Sequence, residues 1–346
     1  MNNWWLKKRT SRDCKCPHEL IFGTPGCGKS HYMKNEIKQA MEAFPDDKFI
    51  VFGDRWEYND RVFKDARVFT FKEGQRINPL QITKRPESPL DINDIVEEKA
   101  ALLINLVELA DRGRVCNSFE VNVIYRTLRE LYSKYADEAY ADKSPTLIEF
   151  YEMLLSDNSP EGNKVAMAIE YIALDNSSPF NQTVNTKLIT DEMMLGKLII
   201  LDPYTIVEGI KEMRDYFDFL VNACLNQIRE YASEDQRIWI FLDEMYPLIR
   251  TDSGKNIMCR WLKKPCNVIY TCTTQDIEEV DNTDIIKQAG FITPFNTFKP
   301  SIEVAKKYIG LPDDLCGVIT NQTYGIGLWY TGERFVPFNI QEENHF

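Results

Sequence analysis

The chain has 346 residues, 44% of them hydrophobic and 12% aromatic, enough to build a substantial buried core and to exclude global disorder. Its formal net charge of −12 works against wrapping nucleic acid over the general surface, because a polyanion is held by a positive field; a local basic loop or pore stays open. No stretch approaches the roughly 20 apolar residues that span a bilayer.

Taken in chain order, residues 1–17 read as an exposed N-terminal arm. Trp4-Trp5-Leu6 runs at once into Lys7, Lys8 and Arg9, unlike a secretory signal, and one such cluster gives only weak affinity for a membrane surface. Nine cysteines show no metal-ligand pattern. Cys14-Lys15-Cys16, with only His18 nearby, is too close-set for a CxxC site, so the expectation is a reduced, cytosolic protein whose thiols pack as small apolar groups. Residues 19–22 predict a short buried strand and 29–43 a helix. A second strand, Lys48 to Gly53, is almost continuously apolar, as a parallel strand covered on both faces should be; a third follows near Arg67–Phe71. From Asp91 to about Asp175 the apolar residues recur at helical spacing, with Ser144 read as a helix N-cap and Pro145 in the first turn. Strands return at Lys197–Leu201, Arg237–Leu242, Asn267–Thr271 and Gly290–Thr293, with a helix from about Val207 to Tyr231 between the first two. Tyr324–Tyr330 and Arg334–Phe338 flank Thr331-Gly332-Glu333 as a closing β-hairpin. The fold class is therefore α/β: a mainly parallel central sheet (18–90 and 179–346) interrupted by an inserted all-helical subdomain (91–178) and ended by the hairpin.

Three motifs carry chemistry. Gly23-Thr24-Pro25-Gly26-Cys27-Gly28-Lys29-Ser30 is GxxxxGK[ST] between a strand and a helix. Its glycines let the backbone cradle phosphates, Lys29 reaches the β- and γ-phosphates, and the Ser30 hydroxyl ligates Mg²⁺. The helix N-terminus, from Lys29 through His31, adds attraction for the anion. Ile238-Trp239-Ile240-Phe241-Leu242-Asp243-Glu244 is an apolar strand ending in two carboxylates; Asp243 would hold Mg²⁺ and Glu244 would polarise the attacking water. Thr273-Thr274-Gln275-Asp276 follows a later strand, where the Gln275 amide can accept from water and donate to the γ-phosphate. Together they specify a P-loop ATPase with ATP and Mg²⁺ as substrate and cofactor.

These residues resemble the conjugation ATPases of type IV secretion systems, the TraE/TrbE (VirB-type) motors of the FtsK–HerA branch of RecA-like enzymes. Gly53-Asp54-Arg55-Trp56-Glu57-Tyr58 is similar to that family's Asp-Pro-Glu-x-Glu-Tyr segment, making Asp54 and Glu57 supporting candidates. Ile77-Asn78-Pro79-Leu80, Ser144-Pro145-Thr146-Leu147, Pro179-Phe180-Asn181, Gly327-Leu328-Trp329-Tyr330 and Val336-Pro337-Phe338 resemble further family segments, so the likeness spans roughly residues 18–340. It implies a homo-oligomeric ring, a hexamer, at the cytoplasmic face of the inner membrane, with secretion-channel components and a coupling protein as partners. Three departures stand out. The P-loop begins at residue 23, so the family's extra N-terminal domain is expected to be absent, truncated or encoded separately. Arg55 replaces a proline. Arg260-Trp261-Leu262-Lys263-Lys264 stands where an Arg-Lys pair is usual, leaving Arg260, Lys263 and Lys264 as candidates for a cation acting across the subunit boundary; lysine lacks the planar fork of an arginine finger. A DNA-pumping or phage-packaging motor of the FtsK–HerA kind, and a weakly hydrolysing nucleotide-dependent assembly scaffold, are the competing readings.

Overall fold

The computed structural model describes residues 4–59, 61–71, 75–82, 86–137, 143–181, 187–188, 195–205, 216–232, 236–263, 267–280, 284–321 and 323–341. Seven parallel strands form the sheet: β1 (Glu19–Phe22), β2 (Lys48–Phe52), β3 (Arg67–Phe69), β6 (Leu198–Leu201), β7 (Ile238–Leu242), β8 (Val268–Thr274) and β9 (Phe291–Pro294). The hairpin β10 (Ile326–Tyr330) and β11 (Phe335–Asn339) adds antiparallel at one edge, giving the order β11-β10-β9-β1-β8-β7-β2-β6-β3. Two short strands not foreseen, β4 (Gln75–Arg76) and β5 (Lys187–Leu188), pair separately. The expected α/β class, parallel sheet and closing hairpin are borne out.

Strands β6 and β7 are apolar at every position because both of their faces are covered. Along β7, Trp239 and Phe241 join Phe49, Val51 and Ile200 under helix α2 (Lys29–Ala43). Ile238, Ile240 and Leu242 point the other way, into the larger core. That second face carries α3 (Pro89–Ala110), α4 (Ser118–Tyr135), α5 (Leu147–Ser156), α6 (Pro160–Leu174), α7 (Phe217–Tyr231) and α8 (Asp252–Lys263). Helices α3 and α4 each start in a capping box, Ser88 with Asp91 and Asn117 with Glu120. The long helix expected from Val207 is described only from Phe217; residues 206–215 lie outside the described residues.

Two expectations are corrected. Residues 4–9 do not form an exposed arm: they make helix α1 (Trp4–Arg9), whose Trp5, Leu6 and Arg9 are buried. Trp5 stacks on Trp329 and meets Phe291 edge-on, and Lys8 pairs with Glu333 of the hairpin at 3.1 Å. Arg9 is the reason the helix enters the core. Its guanidinium donates to Pro17 O, Glu19 Oε2, Glu36 Oε1, Tyr270 O and Thr271 Oγ1, so a buried charge is matched on every side. The second correction concerns α5. Its N-cap is Thr146, in a reciprocal capping box with Glu149, which satisfies two first-turn donors at once. Ser144 Oγ instead accepts from Ile82 N, and Pro145 O accepts from Asn78 Nδ2, tying this turn to the Asn-Pro segment.

Candidate nucleotide-binding site

The P-loop joins β1 to α2 at the carboxyl edge of the parallel strands, where open α/β sheets bind ligands. Gly26 and Gly28 adopt φ of 75° and 113°, values that cost a side-chain-bearing residue strain. At Gly23 a Cβ would stand 2.8 Å from Phe295 Cβ. The loop is tied on both flanks: Thr24 N donates to Asn296 O at 2.8 Å, and Gly325 N donates to Cys27 O at 2.9 Å. Helix α2 starts at Gly28 with no side-chain cap, so its first-turn N–H groups have no side-chain acceptor there, the condition that suits an anion. Lys29 Nζ folds over the loop, donating to the carbonyls of Gly23 and Thr24.

Opposite α2, β7 ends at Leu242 and leads directly into Asp243, whose carboxylate is the hub of the site. Ser30 Oγ donates to Asp243 Oδ2 at 3.1 Å across 213 residues of sequence. Tyr58 OH donates to the same oxygen at 2.7 Å, and Thr273 Oγ1 donates to Oδ1 at 3.2 Å. Burial, then the Asp243 charge, hold the Tyr58 phenol well above its ordinary pKa, so it acts as a donor. A serine hydroxyl beside a carboxylate is the hard-oxygen pair that suits Mg²⁺, and the glycine cradle beside it suits phosphate. The residues present therefore fit both ATP and Mg²⁺.

Glu244 follows in the left-handed region, at φ 84°. For a non-glycine residue this is strain that the surroundings must hold. They do so from both sides: Glu244 N donates to Thr273 Oγ1 at 2.9 Å and Met245 N to Thr273 O at 2.7 Å. One threonine thus orients both carboxylates. Burial raises the Glu244 pKa above the ordinary carboxylate range, opposed by bonds from Tyr246 N and the Gln275 side chain. Gln275 is the first residue beyond β8, which runs to Thr274 rather than ending at Thr271. The structure therefore brings Lys29, Ser30, Asp243, Glu244 and Gln275 to one edge.

Other candidates lie elsewhere. Asp54 shapes the turn after β2: Trp56 N donates to its carboxylate at 2.8 Å, and Tyr58 N to its carbonyl at 3.0 Å. That turn swings Tyr58, not Glu57, onto Asp243. Glu57 is half-exposed and pairs with Lys34 on the outside of α2 at 3.1 Å. Arg260 and Lys263 occupy the last turn of α8. Because β7 and β8 are parallel, α8 runs back between them, and its end lies at the edge away from the P-loop. There Lys263 pairs with Asp284 at 2.8 Å. Lys264 lies outside the described residues. His18, beside the close-set cysteines, is buried as a neutral ring, its pKa pushed down to about 3 by burial and by Arg9, and its Nδ1 accepts from Tyr270 N. Tyr58 and Thr273 stood inside segments quoted from the sequence but were given no role there; Thr273 was placed just after its strand, whereas β8 includes it.

No protein-family model and no curated protein match the chain. Solved structures do. VirB4 of Thermoanaerobacter pseudethanolicus superposes with a TM-score of 0.70 at 16% identity, over 95% of this chain and 90% of that one. The bacterial conjugative coupling protein TrwB, in a truncated unbound form, gives 0.60 at 13% identity, over 95% and 87%. TrwB in complex with ADP and Mg²⁺ gives 0.59 at 12% identity, over 95% and 86%. At these identities the likeness is one of fold. The chain has the RecA-like P-loop fold that VirB4 and TrwB share, in agreement with the resemblance read from its motifs.

Proposed function

We propose that this chain is a Mg²⁺-dependent ATPase that energises assembly or substrate transfer in a conjugative type IV secretion system. One observation carries the reading: Ser30 and Asp243, 213 residues apart, meet at 3.1 Å, with the strained Glu244 beside them. Lys29 and the first turn of α2 bind and orient the phosphate chain. Ser30 and Asp243 would hold Mg²⁺, which when bound neutralises charge on the phosphates. Glu244 takes the proton of the attacking water, burial raising its pKa in the direction that strengthens a carboxylate as a base. Gln275, hydrogen-bonded to Glu244, orients that water and senses the terminal phosphate. The structural neighbours support the setting: a VirB4, and a conjugative coupling protein solved with ADP and Mg²⁺.

In this reading the chain works as a hexameric ring at the inner face of the membrane, against channel components and a coupling protein. Among the described residues no helix is long and apolar enough to cross a membrane. Purified protein is expected to hydrolyse ATP with Mg²⁺. Glu244→Gln should still bind ATP while kcat falls ~10²–10³-fold, the scale of a lost general base; turnover at the wild-type rate would remove Glu244 from this role. Strong stimulation by DNA would redirect the assignment to a DNA-pumping motor.

A further inference from the structure

The closing hairpin touches the P-loop in a way that the phosphate chemistry does not use. Asp243, Glu244 and Gln275 stand at the ends of β7 and β8, on one side of β1. They mark where the terminal phosphate belongs in the reading above, on which this inference rests. A nucleotide held that way points its nucleoside away from β8, toward the side of β1 occupied by β9, β10 and β11. The segment entering β10 and the segment leaving β11 lie there against the loop. Gly325 N donates to Cys27 O at 2.9 Å, Ile340 N donates to Gly325 O at 2.9 Å, and Ile340 Cδ1 fills the space a Cβ at Gly28 would take.

Two rings stand at this rim. The Tyr324 hydroxyl and His31 Nδ1 share a hydrogen bond of 3.0 Å, with His31 directly after Ser30 in the first turn of α2. The rings are tilted 38° with centroids 6.3 Å apart, so neither covers the other. Tyr324 is 42% exposed, and among the described residues its ring meets only that of His31. An aromatic ring in such a position contributes little to the core. Its π-face is a platform on which a base stacks whatever its exocyclic groups.

We infer that Tyr324, held by His31, is the platform for the nucleoside base, and that the closing hairpin thereby reads whether the bound phosphate chain carries a nucleoside. The probes are ADP and inorganic tripolyphosphate, each with Mg²⁺, titrated calorimetrically into the full chain and its variants. Tyr324→Ala should weaken ADP by about tenfold, within the range of one lost base stack, and leave tripolyphosphate within twofold. Tyr324→Phe, which keeps the ring and loses the tie to His31, should retain most of the ADP affinity. An equal loss for both ligands in Tyr324→Ala would make Tyr324 a mere support of the loop. Unchanged ADP affinity, or a loss in Tyr324→Phe as large as in Tyr324→Ala, would equally overturn the platform. These outcomes leave the P-loop reading intact. That reading fails separately if wild type binds neither ligand, or if Lys29→Ala binds tripolyphosphate as well as wild type does, and the subsite then falls with it.

Discussion

Two polar clusters sit on the same strands and the same helix, and they are built to opposite ends. One gathers at Thr273, where β8 meets the edge of the sheet; the other gathers at Thr271, two residues earlier on the same face. Helix α2 serves both, with Ser30 in its first turn and Glu36 further along. At Thr271 the carboxylates of Glu19 and Glu36 surround a cation that the chain itself supplies, Arg9. Glu19 also accepts from Trp5, Tyr32 and Thr293. At Thr273, among the described residues, the carboxylate of Asp243 accepts only from hydroxyls, those of Ser30, Tyr58 and Thr273. A cluster closed by its own arginine is structural. A carboxylate lined by neutral donors beside a glycine loop has the charge balance that suits a cation from outside. The chemistry of the two differs by what fills the centre, not by which residue types surround it.

Removing Arg9 should break this contrast most severely. Arg9→Ala leaves the buried acids Glu19 and Glu36 without their cation, and the expected loss is about 3–5 kcal/mol, read from urea unfolding; a loss below ~1 kcal/mol would mean the cluster is not what anchors α1. Thr273→Val keeps the shape but strips the hydroxyl that orients Asp243 and Glu244. It should cost ~10-fold or more in kcat with only about 1 kcal/mol of stability. A larger stability loss than activity loss would make the Thr273 cluster structural too.

The smallest effect belongs to Glu36, whose pKa burial raises from 4.5 to about 8, against the opposing charge of Arg9. Its Oε2 has no partner among the described residues. A carboxyl that keeps its proton longer when folded favours the folded state at low pH, so stability should fall as pH rises from about 4.5 to 8. Glu36→Gln, neutral at all pH, should flatten that slope and raise Tm at pH 8 by ~2 °C, measured by calorimetry at several pH values. A slope that persists in the variant would assign it to other groups.

Much of the site was legible in the sequence because its parts are local strings. Gly23–Ser30 and Asp243-Glu244 each declare a strand, a loop and a charge within eight residues. The hub was not legible, because it depends on which strands are neighbours. Tyr58 reaches Asp243 only since β2 lies beside β7, and Thr273 reaches it only since β8 lies on the other side. The same limit hid α1. An aromatic and basic hexapeptide reads as surface until Glu19, Glu36 and Thr271 are known to converge on Arg9. The start of α5 is a different case. Thr146-x-x-Glu149 was present as a capping box, but the Ser-Pro pair before it was the stronger lure.

The docking of α1 also has a consequence for how the protein is made. Helix α1 leaves the ribosome well before its partners Tyr270, Thr271, Phe291, Trp329 and Glu333, which come 261 to 325 residues later. At bacterial or eukaryotic elongation rates that interval is on the order of tens of seconds. Through all of it Trp4, Trp5 and Arg9 wait without their socket, so the growing chain has to shelter this helix until the hairpin that completes it arrives.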